Sequence, residues 1–178
     1  MIKIKVDGKE IDAKEGERLL WVCLDNGIYI PNLCAIRGVE PPFGGCSLCF
    51  VEVDGRLRRA CVEIVRDGME VKTNTERVRR LRETIFNLIL LDHPIECKTC
   101  PKSGSCALQD IALKQKFKLK KPEGLKELGS RDIKVDDSME EIIWDRRKCI
   151  LCGRCVWACK TFGKGILDFT RRGYDTVI

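Results

Sequence analysis

Twelve cysteines and a single histidine are the residues of this 178-residue chain whose types and spacing indicate chemistry. No apolar run reaches the roughly 18 residues of a membrane span, and the first residues alternate apolar and charged side chains, unlike a secretory signal. Without such a signal, this many cysteines indicate thiols kept reduced for metal rather than a disulfide framework. All of them except Cys23, which we expect to be a buried structural thiol, fall into three groups.

The first group consists of cysteines only, and its middle pair forms a CxxC motif preceded by two glycines. Its members are Cys34, Cys46, Cys49 and Cys61. Glycines at this place allow a tight bend that brings backbone N–H groups towards sulfur, where hydrogen bonds stabilise a negative cluster. Four thiolates on a loop and the hairpin after it suit a [2Fe–2S] centre. A zinc ion bound by four cysteines needs the same ligands and is the alternative.

The second group contains the histidine together with three cysteines. Its members are His93, Cys97, Cys100 and Cys106. The histidine lies where a predicted helix ends, four residues before a CxxC motif, in a group that has one cysteine too few for a cluster. We therefore expect a [4Fe–4S] centre in which neutral imidazole replaces one thiolate, which makes the cluster easier to reduce. Zinc in a Cys3His site is the alternative here.

The third group is a CxxCxxCxxxC run made of Cys149, Cys152, Cys155 and Cys159. In bacterial ferredoxins the first three cysteines of such a run bind one [4Fe–4S] cluster, and the fourth binds the other cluster. The fourth ligand of the cluster at Cys149, Cys152 and Cys155 is therefore not identified. Either Cys159 closes it locally, or the sequence is the N-terminal part of a longer protein; we favour the second interpretation.

Alternating segments around two Asp-Gly pairs predict the strands that must position the first group. The expected strands are residues 2–6, 10–12, 50–53, 57–60 and 69–71. Apolar residues between Arg18 and Asn26 predict a short helix that packs on this sheet. Thr73 and Glu76 fit a capping box that starts a second helix of about four turns, ending near Asp92 with an apolar stripe. That stripe is Val78, Leu81, Ile85, Leu88 and Ile89.

These signals divide the chain into four parts. Residues 1–73 are a compact α+β unit, residues 74–113 carry the histidine group, residues 114–137 are a basic linker, and residues 138–178 carry the last cysteines. The basic stretch at the start of the linker reads as solvated, with a contact surface for an acidic protein as the alternative. The net charge of +6 is mild, so we expect no nucleic-acid binding.

The three groups in this order resemble the N-terminal region shared by the large iron–sulfur subunit of respiratory complex I, the accessory domain of [FeFe]-hydrogenases and the small diaphorase subunit of NAD-reducing hydrogenases. The resemblance covers essentially the whole chain. It includes the segments 31–34, 45–49, 93–106 and 149–155, and Gly173-Tyr174.

The resemblance implies a plant-ferredoxin-like β-grasp domain with one [2Fe–2S] cluster, a helical segment with a His/Cys3 [4Fe–4S] cluster, and a half module like that of bacterial ferredoxins with a second [4Fe–4S] cluster. It implies a cytoplasmic relay that passes single electrons between an NAD(P)H-binding flavoprotein subunit and a second redox subunit within a hetero-oligomer. The second subunit is a hydrogenase, a formate dehydrogenase or a bifurcating partner.

We expect no active site in the chain itself, since no Gly-rich phosphate fingerprint or catalytic triad pattern is present. Outer-sphere electron transfer requires neither an acid, a base nor a nucleophile. Two alternatives remain open at this stage. The chain is the truncated front of a catalytic [FeFe]-hydrogenase-type polypeptide, or it is a cysteine-rich zinc-binding interaction module.

Overall fold

The computed structural model describes residues 1–124, 135–138 and 143–178, apart from the side chains of Asp92 and Tyr174. Within this part the chain forms two compact units, Met1–Phe86 and Asn87–Ile178. The predicted linker, 114–137, and the start of the predicted last module lie partly outside the described residues. The mixed α+β class expected from the sequence is confirmed, and the described part contains one small sheet and four α-helices.

The first unit is built on a five-stranded mixed sheet. Its strands are β1 (Ile2–Val6), β2 (Lys9–Ala13), β3 (Phe50–Val53), β4 (Arg56–Arg59) and β5 (Glu70–Lys72). The spatial order is β2-β1-β5-β3-β4, in which β1 and β5 are parallel and the other neighbours are antiparallel. Both hairpin turns have the predicted form, because the Asp and the Gly of each Asp-Gly pair have positive φ.

A short helix, α1 (Leu19–Asp25), packs on the sheet. Its buried side chains include Leu19, Leu20 and Val22, which lie in the same core cluster as the inward-facing residues of β1, β3 and β5. Cys23 belongs to this core and is fully buried, as expected for a structural thiol. Burial raises the pKa of Cys23 to about 12, so the thiol remains protonated and inert.

The long helix α2 (Glu76–Asp92) begins and ends close to the predicted places. The predicted capping box is wrong, because the residue that caps α2 is Thr75, whose Oγ1 accepts a hydrogen bond from the Val78 amide at 3.2 Å. Thr73 instead donates its hydroxyl and its amide to Asp7, at 2.5 and 2.7 Å. The start of α2 is thereby tied to the first hairpin.

The buried face of α2 also differs from the predicted stripe. Leu88 is 57% exposed, whereas the fully buried positions recur every four residues. They are Val78, Arg82, Phe86 and Leu90. An arginine thus occupies a core position of this helix.

The second unit contains two further helices, α3 (Ala107–Gln115) and α4 (Arg154–Phe162), and two single 3-10 turns at Arg146–Lys148 and Gly173–Asp175. Among the described residues, no helix is long and apolar enough to cross a membrane.

Candidate metal centres

The first cysteine group forms two pairs of sulfur atoms next to the sheet. Cys34 and Cys46 interact with each other through their side chains, and so do Cys49 and Cys61. Three of the four are almost completely buried, while Cys46 is half-buried. Cys34 and Cys46 lie on the loop between α1 and β3, Cys49 immediately precedes β3, and Cys61 follows β4. Two thiols per iron is the ligand arrangement that a [2Fe–2S] centre requires.

Backbone amides converge on these sulfur atoms. The Leu33 amide lies 3.4 Å from Cys46 Sγ, and the Cys46 amide lies 3.4 Å from Cys34 Sγ. The pKa of Cys46 is lowered to about 6. The largest cause is the hydrogen bond that Cys46 accepts from the Cys34 thiol, and the amides of Leu48 and Leu33 add to it. The hydrogen bond from the Cys49 thiol likewise lowers the pKa of Cys61. The same two hydrogen bonds, followed by burial, raise the pKa of Cys34 and of Cys49. Each pair therefore favours a thiolate on one of its two sulfurs, Cys46 or Cys61.

Two arginines hold this loop against other segments of the first unit. The Arg59 guanidinium donates to the Gly44 carbonyl two residues before Cys46, and its charge favours the thiolate of Cys61. Arg18 donates to the Val62 carbonyl and pairs with Glu40 on the loop, with Nε 2.9 Å from Glu40 Oε1. The turn itself needs a residue with positive φ at Gly44, whose φ is +59°.

His93 of the second group follows directly after α2 and is half-buried. Its Nδ1 atom is buried and, within the described residues, has no hydrogen-bond partner. Burial, followed by the charge of Lys121, lowers the pKa of His93, while Asp145 opposes this effect. The imidazole is therefore neutral at pH 7 and has a lone pair available, as a metal ligand must.

The cysteines of this group occupy a series of tight turns that leads into α3. Cys106 is the N-cap residue of α3, so it lies at the N-terminal end of that helix. The turn before it is held by Gln109, whose Oε1 accepts from the Gly104 amide at 3.0 Å. Cys97 and Cys100 lie earlier in the turns, and all three cysteines are half-buried.

The third group lies at the start of α4. Burial raises the pKa of Cys149, and the Leu151 amide opposes this effect. Electrostatic interactions with Cys155 and Cys152 raise the pKa of Cys149 further. Cys155 is exposed, and Gly153 precedes α4 with positive φ. The structure thus brings the first three cysteines of the run together around one turn.

Cys159 has its own set of hydrogen-bond donors. The segment that follows α4 folds back so that the amides of Leu167, Ile166 and Gly165, in decreasing order of effect, lower the pKa of Cys159. Lys160 adds a smaller contribution of the same sign. Such a ring of amides is a site for an anionic sulfur. Amide hydrogen bonds thus favour the thiolate form of Cys159.

Three observations show that these residues fit iron–sulfur clusters. The thiols of the first group are paired and accept hydrogen bonds from amides, the buried Nδ1 atom of His93 has no partner within the described residues, and Cys159 accepts hydrogen bonds from several amides. Within residues 1–124, 135–138 and 143–178, no three histidine, cysteine, aspartate or glutamate side chains are arranged to hold a single metal ion. The protein ligands of a cluster are divided over two or four irons, so the full set lies further apart than the ligands of one ion.

Comparison with protein families matches all three centres in the order found here. Residues 1–76 match the 2Fe-2S iron-sulfur cluster binding domain, and residues 82–118 match the NADH-ubiquinone oxidoreductase-G iron-sulfur binding region. Residues 142–161 match the 4Fe-4S binding domain. The first group therefore falls in a region of the [2Fe–2S] class, and the other two fall in regions associated with iron–sulfur binding. The chain is an iron–sulfur protein by family.

Curated relatives refine this class. The chain is 31% identical to the gamma chain of NAD-reducing hydrogenase HoxS from Cupriavidus necator, over 99% of its own length and 74% of that protein. It is 36% identical to the NADP-reducing hydrogenase subunit HndD from Solidesulfovibrio fructosivorans and 31% identical to the NADH-ubiquinone oxidoreductase 75 kDa subunit from Reclinomonas americana. In both cases the whole chain is matched, but it spans only 31% and 26% of those relatives.

A solved structure agrees with these relatives. A chain in the crystal structure of NAD+-reducing [NiFe]-hydrogenase in the H2-reduced state superposes with a TM-score of 0.86 at 29% identity, over 98% of this chain and 73% of that one. The chain belongs to the family defined by the iron–sulfur region that the large iron–sulfur subunit of complex I shares with NAD(P)-linked hydrogenase subunits. The resemblance inferred from the cysteine motifs is thereby confirmed.

Proposed function

We propose that this chain is an iron–sulfur electron-relay subunit, which passes single electrons between an NAD(P)H-oxidising flavoprotein subunit and a second redox centre. The observation that carries the proposal is the succession of three thiol-rich groups, each within a matched iron–sulfur region. In the first and third groups, backbone amides donate to sulfur. Iron–sulfur clusters bound at these places accept and release one electron at a time.

The proposed ligands are those derived from the sequence. Cys34, Cys46, Cys49 and Cys61 hold a [2Fe–2S] cluster, and the two sulfur pairs support this assignment. His93 and three cysteines hold a [4Fe–4S] cluster, supported by the unpartnered Nδ1 atom within the described part of the chain. The other cysteines of that site are Cys97, Cys100 and Cys106. A second [4Fe–4S] cluster is held at Cys149, Cys152 and Cys155. Its fourth ligand is not identified, and Cys159 is a candidate ligand of this cluster or of another one.

The finer architecture is part of the same proposal. Residues 1–73 form a plant-ferredoxin-like β-grasp domain, supported by the mixed five-stranded sheet and the helix α1 that packs on it. Residues 74–113 form the His/Cys3 segment and residues 138–178 a ferredoxin-like half module, joined by the basic linker. The chain's own residues position sulfur, supply N–H donors and exclude water from three of the first four thiols.

The proposed partners are an NAD(P)H-binding flavoprotein subunit and a second redox subunit, in a cytoplasmic hetero-oligomer. The support is that several relatives are, by name, subunits of NAD- or NADP-reducing hydrogenases and of an NADPH-Fe(3+) oxidoreductase. The hydrogenase-type catalytic polypeptide and the zinc module that the sequence left open are not favoured by these relatives.

Metal analysis and EPR of anaerobically purified, dithionite-reduced protein test this proposal. One [2Fe–2S] and two [4Fe–4S] signals with about ten irons per chain are expected from the cluster sizes. About six irons would mean that the third site needs a ligand from outside the chain, and the relay assignment would then rest on two centres. Stoichiometric zinc without an EPR signal would refute the proposal.

A further inference from the structure

Arg82 is a buried cation in the core of the first unit. Its side chain is only 2% exposed, and it is the largest of the fully buried side chains among the described residues. It shares its helix face with Val78 and Phe86, which are apolar and equally buried. A guanidinium in such a place is costly unless the protein uses its charge or its hydrogen bonds.

The contacts of Arg82 direct it towards the first metal centre. Its Nε donates to the Phe50 carbonyl at 2.9 Å, and Phe50 directly follows Cys49 in the chain. Burial lowers the pKa of Arg82 to about 10. Among the groups that oppose this decrease, Cys49 has the largest effect. Tyr29 and Asp7 contribute in the same direction. The guanidinium therefore remains a cation at neutral pH, and Cys49, the cysteine that it affects most, would be a thiolate once it binds the proposed [2Fe–2S] cluster.

Other cations near this centre are less able to act on it. Arg18 also interacts with the charge of Cys61, but its side chain is 17% exposed and its charge is paired with that of Glu40. Arg59 is half-buried and donates to the Gly44 carbonyl. Charges in contact with water are screened far more than a buried charge. Arg82 is thus the best shielded cation in the described surroundings of these four cysteines.

We propose that Arg82 is a positioning residue that raises the reduction potential of the [2Fe–2S] centre by favouring its reduced state. The inference rests on the proposed function, since it requires a cluster at Cys34, Cys46, Cys49 and Cys61. Reduction of the centre by one electron adds one negative charge, which a fixed buried cation stabilises. The electron comes from the reduced flavoprotein or, in the test, from dithionite, and no proton transfer is needed because Arg82 stays protonated throughout.

The size of the effect follows from the surroundings. At an effective dielectric constant of about 20, two unit charges change an equilibrium at least about tenfold out to a separation of roughly 12 Å. The Arg82 guanidinium is hydrogen-bonded to Phe50, the residue next to Cys49. We therefore expect loss of the Arg82 charge to change the ratio of reduced to oxidised centre, at a fixed ambient potential, by at least about tenfold. For a one-electron couple this is a midpoint shift of about 59 mV to lower potential.

The test is an EPR-monitored redox titration of the purified chain and of matched variants. Arg82→Gln removes the charge and retains an N–H donor for the Phe50 carbonyl. Arg79→Gln removes an equal charge from an exposed position of the same helix. We expect the midpoint to fall in Arg82→Gln and to stay at the wild-type value in Arg79→Gln. Equal midpoints in all three proteins, or equal shifts in both variants, would overturn the inference.

A second variant decides the question if Arg82→Gln does not retain the cluster. In Arg82→Lys the buried ammonium loses its proton as the solution becomes alkaline, because burial lowers the pKa of a lysine. The midpoint of this variant is then expected to fall with rising pH while that of the wild type does not, and a flat profile refutes the inference. Absence of a [2Fe–2S] signal in the wild type would instead refute the proposed function.

Discussion

Replacement of Gly44 by alanine should weaken the first metal centre through the backbone alone. Gly44 has φ +59°, in the left-handed region, and lies two residues before Cys46. A Cβ atom at this position would lie 3.0 Å from Val62 Cγ2 and 3.1 Å from Arg59 Nη1. The new methyl group would thus press on the arginine that donates to the Gly44 carbonyl.

The expected loss can be estimated from these two features. The left-handed conformation costs a residue with a Cβ atom about 1–2 kcal/mol. Alanine recovers about 0.4–1 kcal/mol because it restricts the unfolded chain. The close contacts add to the loss, because Val62 and Arg59 must move by a few tenths of an ångström. We expect a net decrease of about 1–2 kcal/mol in the free energy of unfolding of the first unit.

Gly45 supplies the matched control. A Cβ atom at Gly45 would have no atom within 4 Å, and its φ is not in the left-handed region. Urea unfolding followed by circular dichroism measures stability, and visible absorption of the same samples measures the retained [2Fe–2S] centre. Gly44→Ala should unfold at lower urea and lose more of the centre than Gly45→Ala. Equal behaviour of the two variants would refute the backbone argument.

Three further substitutions test the other parts of the site. His93→Cys should keep the second cluster but lower its midpoint potential, because a thiolate adds negative charge; an unchanged midpoint in a redox titration would remove the ligand assignment. Cys159→Ala should leave the EPR signal of the third cluster intact, and loss of that signal would indicate local closure of the cluster. Thr75→Ala should destabilise the protein to urea by about 1 kcal/mol through loss of the cap on the Val78 amide, whereas Thr84→Ala, at an exposed helical position, should have little effect.

The hairpins of the first unit could be predicted from the sequence because their cause is local. An Asp-Gly pair between alternating segments supplies two residues that tolerate positive φ, and both pairs have it in the structure. The strands β1 and β3 were therefore located at their observed bounds. The ends of β2, β4 and β5 differ from the prediction by one residue or so, since pairing with a neighbour decides them.

The helix α2 shows where local patterns fail. Thr73 and Glu76 have the spacing of a capping box, but Asp7, 66 residues away in sequence, accepts the Thr73 hydroxyl. The helix consequently begins after Thr75. The buried positions of α2 are four residues apart, and this spacing includes Arg82. Sequence analysis nevertheless predicts an arginine to be exposed unless a buried partner for it is known. That partner, the Phe50 carbonyl, comes from a strand 32 residues earlier.

The same distinction applies to the first metal centre. Sequence spacing selects Cys34, Cys46, Cys49 and Cys61 but gives no reason to pair Cys34 with Cys46 rather than with Cys49. The pairing depends on the sheet, because the hydrogen bond from the Ala60 amide to the Cys49 carbonyl, at 3.0 Å, brings the end of β4 beside the start of β3. Cys61 follows directly and so meets Cys49, which leaves the two loop cysteines as the other pair. The residue types thus define the chemistry, whereas the register of the β3–β4 hairpin defines which sulfurs share an iron in the proposed [2Fe–2S] centre.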